Sequence, residues 1–221
     1  MKFIKKWSYG CAKYLSQQLN DNHEKRSIYY FGIQVIIGSI VKLAILLATA
    51  FILGILKETL VILLFFIIFR MTAGGYHMDT YGKCMVVSMC IFLLTGLFVH
   101  YTFMYCKYLN IYALTILNIV TFLIGLFCFY KWAPADTPNK PIKKKEKIRK
   151  LKRQSIIQLF ITTAIVFILI YRNLYLYALA ACMGTLVEIF NITPLGYSLY
   201  DKIISKTFFF IKKTVKNSQN H

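Results

Sequence analysis

Long apolar runs, separated by short polar or basic breaks, dominate the pattern of this chain. The runs cover approximately 28–56, 58–70, 84–104, 108–130, 156–171 and 174–192. A helix needs about 20 apolar residues to cross a hydrocarbon core about 30 Å thick, and most of these runs reach that length. The strict alternation of apolar and polar residues that a membrane β-barrel requires does not occur. We therefore predict an all-α, polytopic membrane protein with about six transmembrane helices.

Both ends of the chain carry basic segments with amphipathic character. In residues 1–27, apolar residues recur every three or four positions and form one stripe of a helix. The stripe comprises Phe3, Ile4, Trp7, Cys11, Tyr14, Leu15 and Leu19. Lysines fall on the opposite face, which predicts a helix that lies on a membrane surface. Packing against the protein's own core is the alternative. Residues 193–221 form a second basic segment, so we expect surface segments at both ends of a transmembrane domain over 28–192.

Charge adds an orientation to this picture. The chain is 58% hydrophobic, has a mean hydropathy of +0.58 and carries a net charge of +19. Lys and Arg concentrate in 1–27, 131–153 and 200–221, between the apolar runs. By the positive-inside rule, this distribution predicts that both termini, the stretch 70–84 and a basic loop over 131–153 are cytoplasmic. It favours anionic membrane lipids, and not nucleic acid, as the partner of the basic segments.

Six cysteines and four histidines carry the remaining candidate chemistry. The sequence has no C-x-x-C pair and no H-E-x-x-H motif, which argues against a disulfide framework and a zinc site. We predict neither a metal nor a cofactor. Most of the cysteines lie inside apolar runs, where we interpret Cys90, Cys128 and Cys182 as packing residues.

The stretch 70–84 is a polar, glycine-bearing break in an otherwise apolar chain. Cys84 opens the third span, and the N-terminus of a helix favours an anionic thiolate. His77 lies seven residues upstream on a loop, from which an imidazolium can stabilise the thiolate as a nucleophile. Gly75 is a candidate to offer its N–H group to a developing oxyanion. The alternative is a simple turn between two membrane helices.

These residues resemble the AgrB family of membrane cysteine endopeptidases. The string Arg70-x-x-x-Gly74-Gly75-x-His77, followed after six residues by Cys84, carries the resemblance. The likeness extends over nearly the whole chain. Its further features are Gln34 and Lys42 in the first span, Glu188 in the last span, and the proline-rich loop 133–142 with Asn139 and Lys140.

The resemblance implies an activity, a substrate and a source. His77 and Cys84 would be the catalytic pair of a cysteine endopeptidase that cleaves the C-terminal tail from an AgrD-like propeptide. Cys84 would hold the peptide as a thioester until a cysteine or serine of the peptide closes a thiolactone or lactone ring. The product would be an autoinducing peptide for quorum sensing in a Gram-positive bacterium, made at the cytoplasmic face of the cell membrane. A homodimer is a further partner that the resemblance suggests.

Several roles around the pair remain open at this stage. Asp79 is a candidate to orient His77, and Gln34 is a candidate donor to the oxyanion. Arg70 is a candidate to bind substrate or to hold the structure, and so are the loop residues Asn139 and Lys140. Lys42 and Glu188 are candidates for an ion pair inside the membrane, because a charge at that depth needs a partner.

Two non-enzymatic functions compete with the peptidase interpretation. The first is export of a peptide along a path lined by the intramembrane charges, with Cys84 incidental. The second is a membrane scaffold. The sequence has no P-loop motif, so ATP-driven export would depend on a partner protein.

Overall fold

The computed structural model describes residues 2–19, 21–76, 78, 81–105, 110–135 and 144–202. Within these residues the chain is helical apart from short turns, and no strand occurs, which confirms the all-α prediction. The chain divides into two compact units, Met1–Gly54 and Ile55–His221. The division falls at Gly54, whose positive φ of 73° ends the first long apolar helix.

The first unit consists of α1 (Lys2–Gln18) and α2 (His23–Ile52), which contact each other. Helix α1 buries the small residues Ser8, Ala12 and Ser16, which recur at four-residue spacing along one face. Trp7 and Tyr14, from the predicted apolar stripe, are 58% and 66% exposed. The face that α1 buries is therefore formed by these small residues. The described side chains of the predicted stripe are exposed, namely Trp7, Cys11, Tyr14, Leu15 and Leu19.

The second unit contains six helices within the described residues. They are α3 (Leu56–Ala73), α4 (Tyr81–Tyr105), α5 (Ile111–Trp132), α6 (Lys145–Tyr171), α7 (Tyr175–Ile192) and α8 (194–202). Across the described chain, five helices are long and apolar enough to cross a membrane, namely α2, α4, α5, α6 and α7. The sixth predicted span corresponds to α3, whose apolar middle lies between Lys57 and Glu58 at one end and Arg70 at the other.

Helix boundaries differ most from the predicted ones at three places. Helix α2 begins at His23, five residues before the predicted start of its span at 28 and within the predicted surface segment 1–27. Helix α2 ends at Ile52, four residues before the predicted end of the span at 56, because the chain turns at Gly54. Helix α6 begins at Lys145, so residues 145–153 are helical and not part of the predicted basic loop over 131–153. The reason is that Lys, Glu, Arg and Leu are good helix formers and neither Gly nor Pro interrupts residues 145–171. Residues 136–143, which include Asn139 and Lys140, lie outside the described residues.

Helix α7 is central to the second unit because it contacts α3, α4, α5 and α6. Small residues line much of it, including Ala178, Ala180 and Ala181, all fully buried. At Gly184 a Cβ atom would lie 2.5 Å from the carbonyl oxygen of Ile62 on α3, so only glycine permits this approach of two backbones. Close approach at small residues is a common way for helices to associate in membranes.

An apolar cluster closes one end of this unit, where α3, α5, α6 and α7 meet. The rings of Phe69 and Phe129 stack in it with their centroids 5.0 Å apart. The cluster consists of Phe69, Ala73, Cys128, Phe129, Ala133, Leu159, Ile189 and Ile192. The stretch 70–84 therefore begins inside the last turns of α3, where Phe69 and Ala73 are packed against the neighbouring helices.

Candidate active site at the polar end of the second unit

Backbone hydrogen bonds fix the segment 74–76, which leaves the C-terminus of α3. Gly75 N–H donates to the carbonyl of Ala135 at 3.2 Å, and Ala135 N–H donates to the carbonyl of Ala73 at 2.7 Å. Tyr76 N–H donates to the carbonyl of Asn191, near the end of α7, at 3.3 Å. The segment is therefore tied to the chain that follows α5 and to α7, although each of these lies far away in sequence.

Arg70 binds the same segment from inside α3. Its guanidinium donates to the carbonyl of Gly74 at 2.9 Å and to the carbonyl of Tyr76 at 2.6 Å. Its Nη1 atom also lies 3.9 Å from Oε1 of Glu188 on α7. A planar cation with several N–H donors suits this task, because one side chain can serve two carbonyls and face a carboxylate.

The two glycines make room for this arrangement. Gly74 and Gly75 have φ angles of 74° and 123°, which L-residues with a side chain rarely adopt. A Cβ atom on Gly74 would lie 2.3 Å from the carbonyl oxygen of Ala135, and one on Gly75 would lie 2.1 Å from Nη1 of Arg70. Because the N–H of Gly75 already donates to Ala135, the described contacts give this residue a structural task. Its predicted role as an oxyanion donor stays a prediction.

Glu188 is fully buried behind Arg70. Its Oε2 atom accepts a hydrogen bond of 3.3 Å from Nδ2 of Asn191. Among the described residues, Oε1 has no hydrogen-bond partner and faces the guanidinium. The hydroxyl of Tyr200 on α8 donates to Oδ1 of Asn191. Burial, and then the nearby carboxylate of Glu188, raise the pKa of Tyr200 to about 12, so this hydroxyl keeps its proton at neutral pH.

Cys84 lies in the first turn of α4, which begins at Tyr81. The residue is half-buried and its thiol is not in a disulfide. The first-turn N–H groups of a helix lack partners within the helix and favour a negative charge close to them. Cys128 and Cys182 are buried, as packing residues should be, whereas Cys90 is exposed on α4.

The structure brings together some of the predicted site residues. Arg70, Gly75 and Glu188 meet at one place, as described above. His77, Asp79, Asn139 and Lys140 lie outside the described residues. Gln34 and Lys42 are half-buried residues of α2 in the first unit, and a pair between Lys42 and Glu188 stays a prediction. Within the second unit, Arg70 is a cation that faces Glu188.

Sequence reasoning did not find four residues that contribute to this site. These are Tyr76, Asn191, Tyr200 and Asp201. Glu188 and Asn191 gave a usable signal, because polar residues three positions apart on an apolar helix share one face. Tyr200 and Asp201 gave none, since their contacts depend on how the chain turns after α7.

The buried pair predicts a specific stability result. We expect Glu188→Leu to lower the free energy of unfolding by about 3–5 kcal/mol, because it leaves the partly buried Arg70 without its carboxylate. Adding Arg70→Leu should recover part of that loss, since an apolar pair leaves no uncompensated charge. The measurement is chemical unfolding in detergent, with the exposed Glu146→Leu as matched control. Losses that simply add in the double variant would contradict the pairing.

Comparisons with known proteins give a consistent result. The family model for accessory gene regulator B, AgrB, matches residues 8–192. AgrB-like protein 2 of Clostridium perfringens (strain 13 / Type A) is 28% identical over 73% of this chain and 76% of its own. An AgrB-like protein of Clostridium acetobutylicum is 26% identical over 94% of this chain and 95% of its own, and one of Listeria innocua is 26% identical over 76% and 77%. No solved structure matches this chain.

Proposed function

Because the chain belongs to the accessory gene regulator B family, we propose that it is a membrane-embedded cysteine endopeptidase that processes an AgrD-like propeptide. Family membership supports a role in the agr quorum-sensing system, and the apolar helices support a multi-pass membrane protein. The observation that carries the proposal is the place of Cys84. Its thiol lies half-buried in the first turn of a membrane helix, shortly after a segment whose backbone is fixed by Arg70.

We propose that this polar end of the second unit faces the cytoplasm. Thr72, near the end of α3, donates to the side chain of Gln158 on α6 at 2.6 Å, so the basic start of α6 extends from the same end as Arg70. Lys152 there lies 4.2 Å from the ring centre of Tyr130 near the end of α5. A membrane end rich in Lys and Arg is typically cytoplasmic and attracts anionic lipids. Both termini would lie on that side.

In the proposed reaction, His77 first takes the proton of the Cys84 thiol. The thiolate attacks the carbonyl carbon of the scissile peptide bond, and the carbon–nitrogen bond then breaks. The imidazolium of His77 gives its proton to the leaving amine, so the C-terminal tail departs as a neutral amine. The remaining peptide stays bound to Cys84 as a thioester.

Ring closure uses the same two residues in reverse. A cysteine or serine of the bound peptide attacks the thioester carbonyl, His77 takes its proton, and the Cys84 thiolate leaves. A thiolactone or lactone results. Water competes with this nucleophile, so the site has to exclude it. A half-buried cysteine at the end of a membrane helix suits that requirement.

The other candidate residues divide into three groups in this proposal. Gln34 and Asp79 keep their proposed roles as oxyanion donor and as orienting group for His77. Arg70 and Glu188 support the catalytic stretch, given their contacts with each other and with segment 74–76. Three further candidates for substrate contact are Lys42, Asn139 and Lys140. A second copy of the chain is a further proposed partner.

The proposed acyl-enzyme provides the test. Purified protein in liposomes is mixed with a propeptide that carries a tag on its C-terminal tail, and the reaction is stopped with acid. We expect the intact mass of the protein to rise by the mass of the peptide without its tail, and hydroxylamine to remove this adduct. The Cys84→Ala variant should form no adduct. Tail release by a protein whose Cys84 has been alkylated would overturn the proposal, and would leave export or a scaffold role.

A further inference from the structure

Tyr76 immediately precedes His77 in the sequence, and two aromatic rings pack against the ring of Tyr76. Its ring lies 5.1 Å from that of Tyr197, edge to face, and 5.2 Å from that of Tyr200. Its hydroxyl donates to Oδ1 of Asp201 at 2.6 Å. We call Tyr76, Tyr197 and Tyr200 the tyrosine clasp. Aromatic pairs at these distances stabilise by more than the area they bury.

The backbone of Tyr76 is held as firmly as its side chain. Its N–H group donates to the carbonyl of Asn191, and its carbonyl accepts a hydrogen bond from Arg70. Every polar atom of Tyr76 therefore has a partner on α3, α7 or α8. The side chain of Tyr76 takes no part in the proposed reaction. We therefore interpret these contacts as holding the position of Tyr76, which matters to the residue that follows it in the sequence.

The turn between α7 and α8 makes the clasp possible. Gly196 packs so closely on Phe190 that a Cβ atom would lie 2.1 Å from the Phe190 carbonyl oxygen. Gly196 N–H donates to Oγ1 of Thr193 at 3.2 Å, which fixes the start of α8. Tyr197 and Tyr200 are three residues apart on α8, so they share one face and both reach Tyr76.

We propose that the tyrosine clasp positions His77 for its reaction with Cys84, and that Tyr76 is a positioning residue of the site. This inference rests on the proposed peptidase function. Consecutive Cα atoms are about 3.8 Å apart across a trans peptide bond, so the contacts that hold Tyr76 anchor the chain one residue before the proposed base. In this proposal, α8 contributes to catalysis through Tyr197 and Tyr200, which hold Tyr76.

Variants of Tyr76 separate ring packing from hydrogen bonding. Tyr76→Phe keeps the rings and removes the hydroxyl that donates to Asp201, so we expect nearly normal turnover. Tyr76→Ala removes the clasp, and we expect kcat to fall about a hundredfold, as when a catalytic group is misplaced by about 1 Å. KM should change little, because Tyr76 does not hold the substrate in this proposal. Tyr171→Ala, at an 83% exposed tyrosine of α6, is the matched control.

A second measurement needs no propeptide. The rate at which iodoacetamide alkylates Cys84 is followed against pH by mass spectrometry of the peptide that contains it. In the unmodified protein, a thiolate paired with His77 should react faster at neutral pH than an ordinary thiol. Tyr76→Ala should move this pH profile toward that of the His77→Ala variant. Tyr76→Phe should keep the profile of the unmodified protein. A fall in stability alone would not shift the profile of the folded protein.

The two measurements distinguish failure of this inference from failure of the proposed function. If Cys84 of the unmodified protein reacts like an ordinary thiol and the protein releases no tail, the peptidase proposal fails. If that protein is active but Tyr76→Ala matches it in kcat and in the pH profile of alkylation, the clasp has no positioning role. The same conclusion follows if Tyr76→Ala raises KM and leaves kcat unchanged.

Discussion

The Cys84→Ala variant is expected to release the tail more slowly than the unmodified protein by a factor on the order of a million. Enzymes lose activity on this scale when the nucleophile of a catalytic unit is removed. His77→Ala should lose nearly as much, because the thiolate and the imidazolium act together in the proposed reaction. For the same reason, the double variant should be no worse than either single variant. The measurement is mass spectrometry of the tail released from a tagged propeptide by protein in liposomes.

Cys90→Ala is the matched control for this experiment. Cys90 lies on the same helix as Cys84 and its side chain is exposed, so its loss should leave both folding and tail release unchanged. Normal cleavage by both Cys84→Ala and His77→Ala would falsify the peptidase proposal. If the same variants still moved an uncleaved peptide across the liposome membrane, the protein would be an exporter.

The hydrophobic pattern predicted the fold because it reports directly on which residues can lie in lipid. Every predicted apolar run has a helix at its place, including the short run that became α3. The pattern was less informative where a helix leaves the membrane. Residues 145–153 are basic and were predicted as loop, although their helix propensity is high and α6 continues through them. The end of the basic run marks where the apolar span begins, near residue 156. The helix itself begins earlier, at Lys145, where helix propensity is already high.

The contacts of the candidate site were harder to predict than its residues. Arg70 stood out as part of the polar stretch 70–84 and Glu188 as a charge within an apolar span, but their pairing joins α3 to α7 across a long stretch of sequence. Nothing in the local pattern indicates such a contact, and Lys42 was an equally good partner for Glu188 on charge alone. The contacts of Tyr76 with α8 depend on the turn at Gly196, whose effect needs the three-dimensional structure.

Gly75 illustrates the same difference at a single residue. From the sequence, its absent side chain suggested an N–H group free to bind an oxyanion. In the structure that N–H group donates to Ala135, and the space where a Cβ would stand holds the guanidinium of Arg70. Both interpretations require glycine at this position, but they assign the requirement to different neighbours. A substitution there, made with and without Arg70, tests the contact with the guanidinium.

Gly75→Ala is expected to lower tail release about a hundredfold, the cost of a small misplacement of a catalytic group. A methyl group would lie 2.1 Å from Nη1 of Arg70, so the guanidinium would have to move and its bonds to Gly74 and Tyr76 would break. The φ of 123° adds backbone strain of about 1–3 kcal/mol. Gly54→Ala is the matched control, because Gly54 has a φ of 73° but nothing within 4 Å of its Cβ position. That control should cost stability and retain activity.

A double-mutant cycle assigns the effect of Gly75 to its neighbour. In a protein that already carries Arg70→Ala, the methyl group of Gly75→Ala meets no guanidinium, so the second substitution should cost much less than it does alone. Contacting residues commonly show such non-additivity, with coupling energies of about 0.5–3 kcal/mol. The same loss from Gly75→Ala in both backgrounds would contradict the contact with Arg70. It would instead assign the loss to backbone strain at the φ of 123°, which alanine meets whether or not Arg70 is present.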